Sequence, residues 1–443
     1  MKILWLCNIM LPAIGQELNV PYSNREGWLS GLYNQFAAEN DNSIELAICF
    51  PYSDRETHNA IKARTQDEGL GKVFKFKCSK VLCYAFQENL VAPEKYDTDL
   101  EAYMADVLKD FSPDLIHIFG SEYPHALAMA NACTEKDRIL LTIQGLVGKI
   151  AKAYTEGVPT DVVSSETFRD IVKHDSITQQ QQKYAKRAQH EKTLFSLIKH
   201  VTGRTSFDRE TALEINPDLT YHHLNDCMRE SFYRGRWNSI DCDQYSIFLS
   251  QGDYPIKGLH YMLEVMPRIL LKYPEAHLYV AGNDIIGGSG IDIRNVLKSK
   301  IKISTYGKYL KSLILTNQLE HKVTMLGPLG EEAMKEQFLK SSVFVCPSII
   351  ENSPNSLCEA MLLGMPVVAA AVGGIPSLVS DGRDGLLYEP GNIRDLAAAI
   401  EIAWDLETGE AIAAAAAKRA KKTHNRIVNY MRLIEIYKTV TGV

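Results

Sequence analysis

Apolar positions along this chain gather in short runs, separated by longer stretches whose apolar residues recur every three to four positions. The runs lie at 3–6, 44–50, 115–119, 139–143 and 200–202, and then at 245–249, 277–281, 323–326, 343–346, 367–371 and 386–388. Most are continuously apolar, which predicts parallel strands covered on both faces. The stretches between them read as the helical crossovers that parallel neighbours require. The rhythm therefore predicts an α/β chain of two doubly wound, Rossmann-like domains facing each other across a cleft.

The rhythm pauses at 226–244, where the text around Asn225-Asp226 and Arg229-Glu230-Ser231 is polar and turn-rich. That places a first domain at 1–225, a linker at 226–244 and a second domain at 245–423. Beyond residue 411 the chain reads as helical. Its alanine run has high helix propensity, and Ile427, Met431, Ile434 and Tyr437 keep a helical period. Two stretches depart from the pattern. In 72–77 lysines alternate with Val73, Phe74 and Phe76, like a strand with one wet face, and Lys298, Lys300, Lys302, Lys308 and Lys311 crowd an amphipathic segment. Both read as solvated surface.

Composition narrows the function classes. Over 443 residues, 46% are hydrophobic and 23% charged, which fits a globular chain and not a disordered one. Lys plus Arg number 48 against 54 Asp plus Glu, a net charge of −6, so nucleic acid is not an expected partner. No apolar run approaches the ~18–20 residues that span a bilayer. Met1-Lys2 before the apolar residues 3–7 resembles the start of a signal peptide, but Asn8 and Pro12 interrupt it, so a buried first strand is expected. The nine cysteines are odd in number and form no CxxC pair, which suggests neither a zinc site nor a disulfide framework. The reducing cytoplasm is the expected compartment, with its membrane's inner face and peripheral membrane contact as further candidates.

The passage most informative about chemistry centres on Glu351-Asn352-Ser353-Pro354-Asn355-Ser356-Leu357-Cys358-Glu359. A strand ends just before it. Ser353 reads as a cap and Pro354 as the first helical residue, and Gly364 and Pro366 stop the helix. Glu351 then lies on the loop before the helix and Glu359 in its second turn. The amides of Asn355 and Ser356 sit at the helix N-terminus, where N–H groups and the dipole favour an anion. Two carboxylates beside a phosphate seat suggest a nucleotide-sugar, although plain surface acids near a cap would show the same spacing. Upstream, Gln251 and Lys257 follow a strand and precede a helix, where α/β folds bind ligands. Downstream, Gly373-Gly374 allows close backbone approach.

Together these features resemble glycosyltransferase family 4, the "group 1" set of retaining, nucleotide-sugar-dependent enzymes with the GT-B fold. The resemblance covers the second half: the Glu-x7-Glu motif at Glu351 and Glu359, Gly364-x-Pro366 after it, Gly373-Gly374-Ile375-Pro376, and the turns at Asp381-Gly382 and Gly385. Pro113-Asp114-Leu115-Ile116-His117 resembles an N-terminal strand signature, and Asn429-Tyr430 with Tyr437 resembles the helix that packs back on the first domain, here 424–443. The resemblance implies that Glu351 contacts donor-sugar hydroxyls, Glu359 the ribose, Lys257 the diphosphate and the Asn355 and Ser356 amides its oxygens, with Glu351 and Lys257 catalytic. It implies no metal and no other cofactor. Gly27, at the start of an apparent first helix, is a candidate for close approach of the donor diphosphate.

Two positions depart from the family pattern. Gln251 stands where an arginine is usual upstream of the lysine, and Gln144 where a histidine is common. Losing a guanidinium removes a bidentate phosphate donor, so Arg25 and Arg204 become candidates for a second cation. Gln144 and His117 are candidates for the acceptor or catalytic side, His117 having the plainer reading of a core histidine, and acceptor groups are expected on the loops around Asn8–Asn24 and Gly145–Pro159. The triplets Asp97-Thr98-Asp99 and Asp241-Cys242-Asp243 read as surface acids, and Gly287-Gly288-Ser289-Gly290 as a loop without chemistry.

The expectation is a glycosyltransferase moving a sugar from a UDP- or GDP-sugar to a glycan or lipid-linked hydroxyl, in bacterial cell-surface polysaccharide or glycolipid assembly. A nucleotide-sugar epimerase of the same fold, or a non-catalytic nucleotide-sugar- or glycan-binding relic, stands as the alternative.

Overall fold

The computed structural model describes residues 1–22, 27–39, 41–65, 70–78, 81–286 and 303–442. Arg25, the 287–290 glycine cluster and Lys298, Lys300 and Lys302 lie outside them. The chain divides into two compact units: Met1–Gly148 with Lys183–Arg229 and His424–Val443, and Lys149–Gln182 with Glu230–Thr423.

The first unit is built on eight strands, β1 Lys2–Leu6, β2 Glu45–Tyr52, β3 Val73–Cys78, β4 Val81–Gln87, β5 Leu115–Phe119, β6 Ile139–Thr142, β7 His200–Gly203 and β8 Thr220–His223. Their order is β3-β4-β2-β1-β5-β6-β7-β8, and every pairing is parallel except the β3–β4 hairpin. β1 and β5 are apolar and buried on both faces, as continuous runs require, whereas β3 keeps Lys75 and Lys77 exposed and buries Val73, Phe76 and Cys78. Helix Asp99–Phe111 turns Leu100, Met104, Val107 and Phe111 onto the sheet, all nearly fully buried. That spacing follows one helix face, and each such side chain contributes about 1.5–3 kcal/mol by leaving water.

The C-terminal helix, Arg426–Thr441, docks in this unit through a buried polar chain. Trp5 Nε1 donates to the Tyr437 hydroxyl (3.0 Å), which lies 2.7 Å from His117 Nδ1, and His117 Nε2 lies 2.6 Å from Thr142 Oγ1. The Tyr437 and Thr142 hydroxyls can each donate or accept, so a neutral imidazole is satisfied at both ring nitrogens. Burial accordingly holds the His117 pKa well below the usual value.

The second unit carries six parallel strands, β9 Asp243–Leu249, β10 His277–Ala281, β11 Val323–Gly327, β12 Ser341–Cys346, β13 Val367–Ala370 and β14 Leu386–Tyr388. The order is β11-β10-β9-β12-β13-β14, so the direction of winding reverses between β9 and β12. In the first sheet it reverses between β1 and β5. At such points the loops leaving neighbouring strands part in opposite directions and open a crevice beyond their carboxyl ends.

One segment falls elsewhere than the sequence reading had it. Residues 149–182, read as part of the first domain, pack with the second unit. Helix Phe168–Lys173 begins in a Thr167/Asp170 capping box, and the same Asp170 carboxylate accepts from Thr305 N (2.8 Å) and Thr305 Oγ1 (2.6 Å). Thr167 Oγ1 donates to the Ile303 carbonyl at 2.9 Å. These partners lie about 135 positions away along the chain, beyond the reach of local pattern. Of the four places where the chain passes between the units, the one between Arg229 and Glu230 lies within the expected linker.

Candidate functional site

In the second unit the reversal point of the sheet is occupied by the pair the sequence singled out. Lys257 lies on the turn after β9 and Glu351 on the loop after β12, and their charged atoms, Nζ and Oε1, are 2.6 Å apart. The side chains are 24% and 11% exposed, so the pair is lodged in the crevice yet open to a ligand. Ser348 Oγ donates to the same Glu351 oxygen at 2.8 Å. In a partly desolvated site such a pair is held by geometry and hydrogen bonds more than by net Coulomb gain.

The backbone around the pair is clasped by three loops. Ile349 N donates to the Ile256 carbonyl (2.8 Å), joining the β12 loop to the β9 loop. Gly258 has φ +72°, and a Cβ there would lie 1.9 Å from the Pro347 carbonyl oxygen. Gly373, after β13, has φ +50°, and its Cβ would lie 2.0 Å from the Glu351 carbonyl oxygen, which also accepts from Gly374 N at 3.0 Å. Both glycines are therefore required by conformation and by space. The hydrogen bond of Ser348 and the close approach at Gly258 each depend on a neighbour from another strand, so local spacing did not show these roles.

Helix Asn355–Leu363 rises from this crevice and ends at Gly364 with φ +75°. Its N-cap position is Pro354, not Ser353 as the sequence suggested. A residue before proline is pushed to extended backbone, and Ser353 Oγ is buried without a hydrogen-bond partner. The Asn355 and Ser356 amides begin the first turn, in the orientation that suits an anion. Glu359, in the second turn, is 3% exposed. Gln251 follows β9 and is half-buried, near Asp253, whose Oδ2 accepts from Asn283 at 2.7 Å and whose buried Oδ1 has no partner.

In the first unit a second polar cluster stands at the reversal point between β1 and β5. Asn8 follows β1, Glu122 follows β5, Gln144 follows β6, and Glu88 follows β4. Asn8 Nδ2 donates to Glu122 Oε2 (3.2 Å) and Gln144 Oε1 (3.3 Å), and Asn8 Oδ1 accepts from His125 Nε2 (3.0 Å). His125 Nδ1 lies 2.6 Å from Glu88 Oε2. Burial pushes the Glu122 carboxyl up to about 7; Glu191 adds to the rise, and Arg187 and Asn8 oppose it. Glu191 accepts from Ser121 Oγ, Val147 N and Gly148 N, and burial still raises its pKa. Of these residues the sequence reading singled out Gln144 and the loop beginning at Asn8. The others come from four strand ends, and no local spacing links them.

The remaining candidates have structural partners. His117 is fully buried with both ring nitrogens occupied, so it anchors the C-terminal helix and offers no nitrogen to a ligand. Arg204, considered as a second cation, forms a buried ion pair with Asp226 and lies 5.7 Å from the Trp28 ring centre. Gly27 opens helix Gly27–Glu39, and a Cβ there would lie 2.4 Å from Arg229 Cδ, so its smallness serves the packing of that arginine. Asp97 Oδ1 caps Asp99 N and Asp99 pairs with Lys72, while Asp241 accepts from Asn238 and Asp243 pairs with Lys340. Among the described residues no group of three or more His, Cys, Asp or Glu could hold a metal ion, and no helix is long and apolar enough to cross a membrane.

Comparison with known proteins bears on this geometry. Residues 233–423 match the family described as glycosyl transferases group 1. An uncharacterised glycosyltransferase of Methanocaldococcus jannaschii is 30% identical over 152 residues, 34% of this chain and 33% of its own length. The amylovoran biosynthesis glycosyltransferase AmsK of Erwinia amylovora is 32% identical over 137 residues, 29% of this chain and 33% of its own. The chain thus matches about a third of the length of these curated relatives. Among solved structures, sucrose-phosphate synthase from Thermosynechococcus elongatus superposes with a TM-score of 0.67 at 15% identity, covering all of both chains. HepE of Anabaena, solved with UDP-glucose, gives 0.64 at 15% identity over 99% of this chain and 100% of its own. At that identity the likeness is one of fold.

Proposed function

This chain is a member of the group 1 glycosyltransferases, family 4, with the GT-B type of fold, and on that premise we propose that it transfers a sugar from a nucleoside-diphosphate sugar to an acceptor hydroxyl. The observation that carries the reading is the Lys257–Glu351 pair at the reversal point of the second sheet, with helix Asn355–Leu363 rising beside it. The departing nucleoside diphosphate gains negative charge as the glycosidic bond breaks. A fixed ammonium and amides already aimed at that position stabilise the transition state more than the ground state.

In this reading Lys257 turns from Glu351 to the diphosphate when donor binds, and the Asn355 and Ser356 amides hold its oxygens. Glu351 is released to accept hydrogen bonds from the sugar hydroxyls, and Glu359 takes the ribose. Gln251 supplies a neutral hydrogen bond where a guanidinium is usual. The donor is a UDP- or GDP-sugar, with HepE's complex with UDP-glucose supporting the uridine choice, and the transfer proceeds with retention and without a metal. The acceptor is a glycan or lipid-linked hydroxyl in cell-surface polysaccharide or glycolipid assembly, in keeping with the printed role of AmsK. The reaction takes place in the cytoplasm, at the inner face of the membrane.

Product analysis tests this. The intact chain is incubated with UDP- and GDP-sugars and an acceptor panel, with and without EDTA. A glycosylated acceptor with release of nucleoside diphosphate, insensitive to EDTA and lost in Lys257→Ala, is the expected result. An epimerised donor formed without acceptor, or donor bound and recovered unchanged with every acceptor, overturns it.

A further inference from the structure

The end of the second unit opposite the crevice carries a surface that the donor chemistry does not use. We propose, independently of the transferase reading, that two copies of this chain join there through a two-fold contact that buries Leu271, Ile402 and Leu406.

The face is built on a fixed aromatic platform. Trp404, the last residue of helix Ile393–Trp404, donates through Nε1 to Ser342 Oγ (2.9 Å). The rings of Tyr273 and Tyr245 stand edge-on to its indole, with centres 5.0 and 5.4 Å away, and lie 4.9 Å from each other. All three side chains belong to half-buried residues. Tyr245 has φ +57°, where a bulky residue is uncommon. It sits where the register of β9 against β12 shifts, and such a bulge re-aims the side chain it carries.

Aliphatic side chains surround the platform. Leu271 lies in the last turn of helix Leu259–Lys272, next to Lys272, whose Nζ is 2.7 Å from Glu401 Oε2. Ile402 adjoins Glu401, and Leu406 opens helix Leu406–Thr423. Ser239 Oγ donates to Glu410 on that helix, which holds the loop of Ile240 beside its first turns. Leu271 and Ile240 are 88% and 85% exposed, the two highest values among the large apolar side chains described in the second unit. A single exposed apolar residue is ordinary. A cluster of them around half-buried aromatic rings marks a surface with a partner.

Charge identifies the partner. Lys272 with Glu401, and Lys340 with Asp243 (3.5 Å), form exposed ion pairs at this end of the sheet. A two-fold axis sets one patch against its own copy, so an acid beside a base can meet a base beside an acid. An apolar centre with tyrosine and tryptophan, and charges towards the edge, is the make-up of a protein interface. Glu275 and Glu407 are also exposed, which leaves no basic excess to draw an anionic lipid surface. Lys257 and Glu351 follow the carboxyl ends of β9 and β12, whereas Tyr245 and Ser342 lie near their starts, so association leaves the crevice open.

Sedimentation velocity on the intact chain tests the proposal. Wild type is expected to pass from the mass of one chain to that of two between about 1 and about 100 µM. Leu271→Lys and Leu406→Glu, each made alone, are expected to weaken that association about tenfold or more and to leave the urea midpoint unchanged. Cross-linking locates the contact. All nine native cysteines are buried, so Ile402→Cys offers one accessible thiol per chain, and a bismaleimide is expected to join two copies through it. Val91→Cys, in the first unit and 87% exposed, is expected to give no covalent dimer. The proposal is overturned if wild type sediments as one chain throughout, if both leucine variants associate as tightly as wild type, or if Val91→Cys cross-links as readily as Ile402→Cys. Phosphatidylglycerol vesicles that bind wild type but not Leu406→Glu would overturn it as well, and would give the face to a lipid surface.

Discussion

At the scale of single residues the proposed donor site turns on Lys257. Lys257 makes its charged contact with Glu351 at 2.6 Å, and a charged hydrogen bond to phosphate contributes about 1.5–3 kcal/mol. Lys257→Ala is therefore expected to weaken nucleotide-sugar binding by roughly 10- to 100-fold, measured by calorimetric titration. Glu122, at the reversal point of the first sheet, shows that a buried carboxyl can cost stability. Its folded pKa is raised, so its favourable contribution is complete below the unfolded value and is lost as pH rises towards about 7. At about 1.36 kcal/mol per unit, the ionised form costs the fold on the order of 3 kcal/mol. Glu122→Gln is expected to raise the melting temperature at about pH 8 and to change it little at about pH 4. Equal shifts at both would show that the carboxyl is not strained by burial.

At the scale of elements, packing depends on contacts that a change of one or two atoms removes. Tyr437→Phe deletes the hydroxyl between Trp5 Nε1 and His117 Nδ1, both buried. Leaving those groups unpaired is expected to cost about 1–3 kcal/mol each, read as a lower urea midpoint. Gly373→Ala places a methyl group against the Glu351 carbonyl at a positive φ, and is expected to abolish donor binding without touching a ligand-contacting side chain. The same elements show what could be read in advance. β5, β10 and β14 coincide with their apolar runs, and Glu351 and Glu359 stand out because one loop and one helix hold both within eight positions. β8, Thr220-Tyr221-His222-His223, is a short polar edge strand with no apolar run to mark it. Glu88 and Glu122 escape notice, and Asn8 is reached only as the start of a loop, because their meeting depends on strand order, which local periodicity does not encode.

At the scale of the molecule, acid should be the destabilising direction. Burial holds the His117 pKa well below normal, that of His260 at about 4 and that of His424 at about 3, with Arg204 also acting on His424. A histidine whose folded pKa is depressed keeps its contribution above about 6.5 and loses it as pH falls below that value. Each costs about 1.4 kcal/mol by one unit below it, so denaturant midpoints are expected to drop steeply between about pH 6.5 and about pH 5. A flat profile there would mean these side chains are solvated. The two sheets were legible as architecture because parallel strands buried on both faces announce themselves as apolar runs. The membership of 149–182 in the second unit was not, since Asp170 and Thr305 meet across 135 positions.

The central claim, that the crevice around Lys257, Glu351 and Glu359 receives a nucleoside-diphosphate sugar, is tested most directly by calorimetric titration of the intact chain with UDP-glucose and GDP-mannose in EDTA. Saturable binding of at least one of them, weakened about tenfold or more in both Lys257→Ala and Glu359→Ala, is the result expected. Binding of neither, or binding that both substitutions leave unchanged, would contradict the account.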